Sequence, residues 1–270
     1  MDRIIKFQGI ENARQLGGLV MQDGRKVRND ILLRCGNLSR ATQDDESVIT
    51  GRFHITDVFD FRYASEAAAD PDRRMAGVRY ISLPTLPKEM IDGFSSGRPD
   101  AEQLNSKDFA ASLVRYASVP QAQALARRLY PSIVLDPQSQ RYYGDFLRGV
   151  LNAPGGSLWH CSQGKDRAGL AAAYLLTALG ADRATILDDF GKSNEYYAPF
   201  VAALSAQVVR TGGDKDATDF IQAMVGVSVT NFIAALDLID EKYGSLPLYV
   251  ENQLGFTPSE QKQLRDRYLE

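Results

Sequence analysis

Cysteine is nearly absent: Cys35 and Cys161 are the two thiols among 270 residues. Two cysteines make no disulfide framework, and a chain of this length needs none to hold a core. The plain expectation is a reducing, cytoplasmic compartment. Histidine is equally scarce. His54 and His160 lie far apart with no cysteine cluster near them, which argues against a dedicated zinc site. Neither sign of charge is in excess, with 31 Lys and Arg against 34 Asp and Glu and a net charge of -3. No overall basic field exists to attract nucleic acid or acidic lipid, which leaves only a local basic pocket. The longest apolar run, 170–179, falls well short of the ~20 residues of a membrane-spanning helix. Met1-Asp2-Arg3-Ile4 opens no apolar leader and reads as mature protein. Hydrophobic residues at 44% and charged residues at 24% are ordinary globular proportions, so disorder, collagen and coiled coil are excluded.

The chain shows no repeat and no clean linker, so a single domain over 1–270 is expected. Short strands are expected at 4–7, 31–34, 55–61 and 78–83, where β-branched, aromatic and aliphatic residues cluster between turn signals. Thr42 followed by Gln43-Asp44-Asp45 predicts a capped helix stopped near Gly51. From 85 to 118 the signals weaken around Gly93, Ser95, Ser96, Gly97 and Pro99, with helical patterns at 108–116 and 121–130. An insertion of that length is usually functional, and 85–118 is expected to be either a lid that shields the thiolate or a surface excursion. Asp136-Pro137 predicts a helix over 136–152. A short apolar strand, 157–160, then meets a polar turn and a helix over 168–179 that is apolar nearly all round. Helices follow at 183–190, 231–243 and 247–254, and Thr257-Pro258-Ser259-Glu260 opens a last one. Strands alternating with helices predict an α/β fold with a mostly parallel central sheet flanked by helices.

The chemistry concentrates at the strand–loop–helix over 159–179. Such a loop lines successive N–H groups at a helix N-terminus, a ready anion site. Cys161 starts it and Arg167 ends it, and a five-residue spacer lets thiol and guanidinium face one centre. An oxyanion there meets the amides of Ser162, Gln163, Gly164, Lys165, Asp166 and Arg167 and a bidentate fork from Arg167. The same dipoles lower the pKa of Cys161, and a thiolate beneath a bound phosphoryl group is placed for in-line attack.

His160-Cys161-Ser162-Gln163-Gly164-Lys165-Asp166-Arg167-Ala168-Gly169 resembles the active-site loop, H-C-x5-R followed by Thr or Ser, of cysteine-dependent protein tyrosine phosphatases. Its Gly-Lys-Asp-Arg form is similar to a bacterial branch, tyrosine phosphatase family 3 or the lipid-and-protein phosphatase type. Asn12-Ala13-Arg14-Gln15-Leu16-Gly17-Gly18 resembles that branch's N-x-R-D-L-G-G. Leu33-Arg34-Cys35-Gly36-Asn37-Leu38-Ser39 resembles its R-S-G-x-L-S. Val58-Phe59-Asp60-Phe61-Arg62 with Glu66 resembles its D-L-R…E segment. The resemblance implies a phosphatase-like fold and a metal-independent, cofactor-free, two-step hydrolysis. Cys161 takes the phosphoryl group, Arg167 binds its oxygens, and Asp166 serves as acid and then base. Lys165 adds charge at the rim, either as a specificity element for polyanionic head groups or phosphoserine, or as a solvated surface charge. Ala168 stands where the family has a hydroxyl that helps sulfur leave, which implies a slow second step. Gln15 replaces an Asp and is given no role.

The supporting residues are read as follows. His160 hydrogen-bonds the loop from the core, and His54 is structural. Asp60 and Arg62 end a strand beside the cysteine strand and either orient the loop or pair with each other. Cys35 is a buried thiol, with a regulatory bridge to Cys161 as the alternative. Tyr142-Tyr143 and Tyr196-Tyr197 are packing residues. The expected substrate is a phosphotyrosine protein or peptide. Phosphoinositide or phosphoserine/threonine hydrolysis, sulfur transfer, and a phosphoprotein-binding pseudo-phosphatase are the alternatives.

Overall fold

The computed structural model describes residues 3–87, 116 and 120–270. The lid or surface excursion expected at 85–118, apart from 85–87 and Tyr116, therefore lies outside the described residues, as does the helix expected at 108–116. Five strands form one sheet: β1 (Arg14–Gln15), β2 (Leu32–Cys35), β3 (Ile55–Asp60), β4 (Arg79–Ser82) and β5 (Gly156–His160). Their order is β1-β2-β5-β3-β4. Only β1 runs antiparallel to its neighbour; β2, β5, β3 and β4 are mutually parallel. The mostly parallel sheet is thus as expected. Ile4 contributes one isolated bridge to Arg14 in place of the strand expected at 4–7.

Apart from edge strand β4 the sheet is largely buried on both sides, and alternation sorts its side chains beyond a register shift between Ile55 and Asp57 in β3. Leu33, Val58 and Leu158 stand in register on one face, with Ile49 and Phe53 packed over them. Phe59 and Trp159 point to the other face, against Phe146 and the helix that follows β5. Arg34 pairs with Trp159 across the sheet and shares that helical face. Central β5 is buried at all five positions, so whatever follows His160 starts from the buried centre of the sheet.

The early helices are α1 (Gln43–Ser47), which runs on into a π-helical turn at Val48–Arg52, and α2 (Ala64–Ala69). Thr42 caps α1 as expected, with a reciprocal bond from its amide to Asp45. The later helices are α3 (Pro120–Leu135), α4 (Pro137–Asn152), α5 (Asp166–Leu179), α6 (Arg183–Arg210), α7 (Lys215–Val225), α8 (Val229–Tyr243), α9 (Leu246–Asn252) and α10 (Pro258–Tyr268). α5 buries twelve of its fourteen residues and ends at Gly180, whose φ of 95° is left-handed. Helix α6 outruns the expected 183–190 by passing through Pro199. One lost backbone bond is outweighed there by burial of Tyr197, Leu204 and Val208. α7 was not expected. No single described helix is long and apolar enough to cross a membrane.

Candidate active site

The loop over 161–167 leaves the buried end of β5 and delivers the chain into α5. Its conformation follows from where its carbonyl oxygens go, since each buried C=O requires a donor. The Ser162 carbonyl accepts from Asn37 Nδ2 at 3.1 Å and from the Asn37 amide. That of Gln163 accepts from Asn12 Nδ2 and Tyr197 Oη at 3.1 and 3.0 Å. Those of Gly164 and Lys165 both accept from Arg34 Nη2. Those of Arg167 and Ala168 accept from Tyr143 Oη and Trp159 Nε1. With the oxygens drawn outward to these partners, the trans peptide geometry turns the intervening N–H groups the opposite way. Gly164 makes the curl possible. Its φ is +66°, and a Cβ there would lie 2.1 Å from the Cys35 carbonyl oxygen.

Cys161 is buried, and burial alone would push its thiol up. The Arg167 guanidinium and the N–H groups of Ala168 and Gln163 reverse this and hold it below the ordinary thiol value. Arg167 is clamped end-on by Glu66: Nη1 and Nη2 donate to Oε2 and Oε1 at 2.7 and 2.8 Å. Nη1 also donates to the Phe61 carbonyl. Nη2 also donates to Ser162 Oγ at 3.4 Å, a long bond that an anion oxygen meeting the edge made by Nε and Nη2 would displace. Ser162 Oγ donates to Glu66 at 2.7 Å, so one carboxylate ties both ends of the loop. Glu66 is placed by its own helix, where it accepts the Tyr63 amide as a cap of α2.

Asp166 opens α5, as an acid at a helix N-terminus should. Tyr130 Oη donates to its Oδ1 at 2.7 Å, and Lys165 Nζ lies 2.9 Å from Oδ2. Burial, first, and the Asp166 charge keep Tyr130 a phenol by raising its pKa well above the usual value. Behind the loop stands a charge cluster at the ends of β3 and β5. Arg62 forks onto Asp60 through Nε and Nη2 and reaches Asp72 at 2.8 Å. His160 Nε2 lies 3.1 Å from Asp72, and its Nδ1 faces the Cys161 carbonyl at 3.2 Å. Burial lowers the His160 pKa, but Asp60 and Asp72 prevail and raise it. Asp60, Asp72 and His160 bring ligand-type atoms within 4.8 Å of one another, yet the Arg62 guanidinium already supplies their cation.

The model of the tyrosine phosphatase family matches residues 5–270. The chain belongs to that family. A Cupriavidus necator protein, provisionally named a tyrosine-protein phosphatase, is 30% identical over 98% of this chain and 88% of its own. The triple specificity protein phosphatase PtpB of Mycobacterium tuberculosis is 26% identical, covering 86% of each chain. Among solved structures, the catalytic domain of the PP-IP phosphatase SIW14 from Saccharomyces cerevisiae overlays with a TM-score of 0.36 and 13% identity. It covers 86% of this chain and 96% of that one.

Within this tyrosine phosphatase, Cys161, Asp166 and Arg167 lie on the turn from β5 into α5, and the stretch 162–167 that the sequence reading assigned to phosphate binding spans it. Ala168 is fully buried, and its amide, not a side chain, reaches the sulfur. His160 does contact the loop. Asp60 and Arg62 pair with each other, and Asp60 lies 3.8 Å from His160 Nδ1. Lys165 corrects an expectation: it is neither a rim charge nor solvated. Its side chain is 4% exposed, because Nζ donates to the Gly226 carbonyl between α7 and α8 as well as meeting Asp166. The thiols of Cys35 and Cys161 are both free, and Cys35 packs on the sheet face opposite to Cys161. Tyr196, expected to pack, is 38% exposed, while Tyr143 and Tyr197 are buried. His54 accepts the Gly156 amide through its carbonyl at the entry to β5, a structural use. Gln15 Oε1 accepts the Asp30 amide. Sequence reasoning gave no role to Tyr130, Asp189 or Arg34. Arg34 carried a signal: it is the one charge in the apolar run 31–35.

Proposed function

We propose that this chain is a metal-independent protein tyrosine phosphatase. The observation that carries the reading is a buried cysteine whose thiol is nonetheless held toward the thiolate by a guanidinium and loop amides. Family membership supports the phosphotyrosine substrate, as do the names of the two relatives. In the first step the Cys161 sulfur attacks phosphorus, a P–S bond forms, the P–O bond to tyrosine breaks, and Asp166 protonates the leaving oxygen. In the second, Asp166 takes a proton from water, the water oxygen attacks phosphorus, and the thiolate is released with inorganic phosphate. Arg167 and the loop amides bind the equatorial oxygens, where transition-state charge gathers.

The inositol-lipid alternative rested on Lys165 as an outward cation and on the resemblance of the loop to C-x-x-G-K-D-R; the bond to Gly226 removes the first support and leaves the second. The test is hydrolysis of a phosphotyrosine peptide in EDTA, with phosphoserine peptide and inositol phospholipid as parallel arms. Turnover that vanadate blocks and Cys161→Ser abolishes is expected. Turnover that needs added metal, or that survives Cys161→Ser, overturns the reading.

A further inference from the structure

Strand β2 reads Leu32-Leu33-Arg34-Cys35, and every residue in it is buried. A guanidinium with no solvent exposure is costly unless its donors are met. Arg34 spends its two terminal nitrogens on two targets, while its buried Nε meets no partner among the described residues. Nη1 donates to Asp189 Oδ2 at 2.7 Å, and Nη2 donates to the Gly164 and Lys165 carbonyls at 2.9 and 3.0 Å. These two oxygens belong to the peptide groups that carry the N–H of Lys165 and of Asp166. Because C=O and N–H oppose each other across a trans peptide, fixing both oxygens fixes the aim of both hydrogens. Asp189 is held in turn by Arg14 and Arg3, at 3.3 and 2.9 Å. Burial would raise its carboxyl, but these guanidinium groups hold it well below the usual carboxylate range. Gly169 leaves the room for this approach, since a Cβ there would lie 2.8 Å from the Phe190 ring and 3.2 Å from Arg34 Nη2.

We propose that Arg34, anchored by Asp189, is a positioning residue that aims the Lys165 and Asp166 amides at the equatorial oxygens of the transferring phosphoryl group. The proposal rests on the phosphatase reading above. Arg34 itself touches no substrate; it acts through two peptide planes from the far side of the loop. A lysine in its place keeps the charge but is a point donor without the planar fork that spans a carboxylate and two carbonyls. Losing one oxyanion donor outright costs ~10²–10³ in kcat, and misaiming two should cost somewhat less. Because charge on those oxygens peaks in the transition state, the loss belongs in kcat more than in KM.

The experiment compares wild type, Arg34→Lys and Arg3→Lys. Arg3 shares the Asp189 carboxylate but has no hydrogen bond to the loop, so it reports the effect of disturbing the ion cluster alone. Arg34→Lys is expected to lower kcat about 10–100-fold with KM within threefold. Affinity for vanadate, which becomes five-coordinate on the sulfur, should fall at least tenfold more than affinity for inorganic phosphate. Arg3→Lys should leave the vanadate-to-phosphate ratio within twofold. If Arg34→Lys does not fold by circular dichroism, Asp189→Asn replaces it. Asparagine keeps one acceptor for Nη1 but loses the anchoring charge, and a smaller shift of the ratio in the same sense is expected. An active wild type whose folded variant keeps the ratio within twofold overturns the role of Arg34 and leaves the phosphatase reading standing. An Arg3→Lys shift as large as that of Arg34→Lys overturns it likewise. A wild type that neither hydrolyses phosphotyrosine nor binds vanadate sinks both.

Discussion

Replacing Glu66 by glutamine separates what Arg167 does by charge from what it does by position. Glu66 accepts from both terminal nitrogens of Arg167, from Ser162 Oγ and from the Tyr63 amide. Glutamine keeps one oxygen and presents an NH2 group to the guanidinium, donor against donor, so half of the fork must open. A charged hydrogen bond is worth about 1.5–3 kcal/mol. Both side chains are largely but not wholly buried, at 7% exposure for Arg167 and 19% for Glu66, so the lower half of that range is apt. At 1.36 kcal/mol per decade, kcat/KM for Glu66→Gln should fall roughly 10- to 50-fold. The thiol should respond in the opposite sense. Glu66 partly offsets the cation beside Cys161, so its neutralisation leaves the thiolate better stabilised. The midpoint of Cys161 alkylation by iodoacetamide should then move to lower pH while turnover falls. An alkylation midpoint that rises, or a kcat/KM within threefold of wild type, would refute the view of Glu66 as the clamp on Arg167.

The remaining predictions concern the loop and the cluster behind it. Gly164→Ala needs φ near +66° and a methyl 2.1 Å from the Cys35 carbonyl oxygen. It should cost about 2–3 kcal/mol in urea unfolding and remove vanadate binding; a neutral effect would show that the loop is not built as described. Ala168→Ser restores a hydroxyl beside the sulfur and is the smallest such change at a fully buried position. Rapid-quench kinetics should show a pre-steady-state burst in wild type and a higher steady-state kcat in the serine variant, and an unchanged kcat would deny a slow second step. His160 has a raised pKa in the fold. Its protonated form thus adds stability that is full below about pH 6.5, the unfolded value, and is lost as pH rises through the folded one. The urea midpoint should decline across that window in wild type and less steeply in His160→Asn; parallel slopes would refute it.

The loop was readable in the sequence because its signals are local. An apolar stretch ending at His160, a glycine-containing polar turn and an alanine-rich helix adjoin one another, and local spacing alone brings Cys161 and Arg167 to one centre. What holds the loop comes from far along the chain. Glu66 lies 101 residues from Arg167, and Asp189 lies 155 from Arg34. No periodicity or spacing rule reaches that far. Lys165 was misplaced for the same reason, since its partner is a carbonyl 61 residues on. The misjudged length of α6 has a different cause. A proline stops a helix only where tertiary burial does not compensate, and Tyr197, Leu204 and Val208 supply that burial beyond and beside Pro199.

The charge arrangement around Cys161 has a consequence for salt. Arg167 is matched by Glu66, Lys165 by Asp166, and Arg3, Arg14 and Arg34 converge on Asp189. Arg3 also meets Asp188 at 3.4 Å, so among the described residues these five cationic side chains face four carboxylates and little unbalanced charge is left to project into solvent. Affinity for a dianion must then come from short-range donors, the loop amides and the Nε edge of Arg167, rather than from a long-range field. Buried pairs and aimed dipoles are screened far less than surface charge, whose reach shrinks to ~8 Å at physiological ionic strength. Raising sodium chloride from 20 mM to 200 mM should therefore change kcat/KM for p-nitrophenyl phosphate by less than about threefold. A steep decline would mean that electrostatic steering, not a neutral and rigid cradle, captures the substrate.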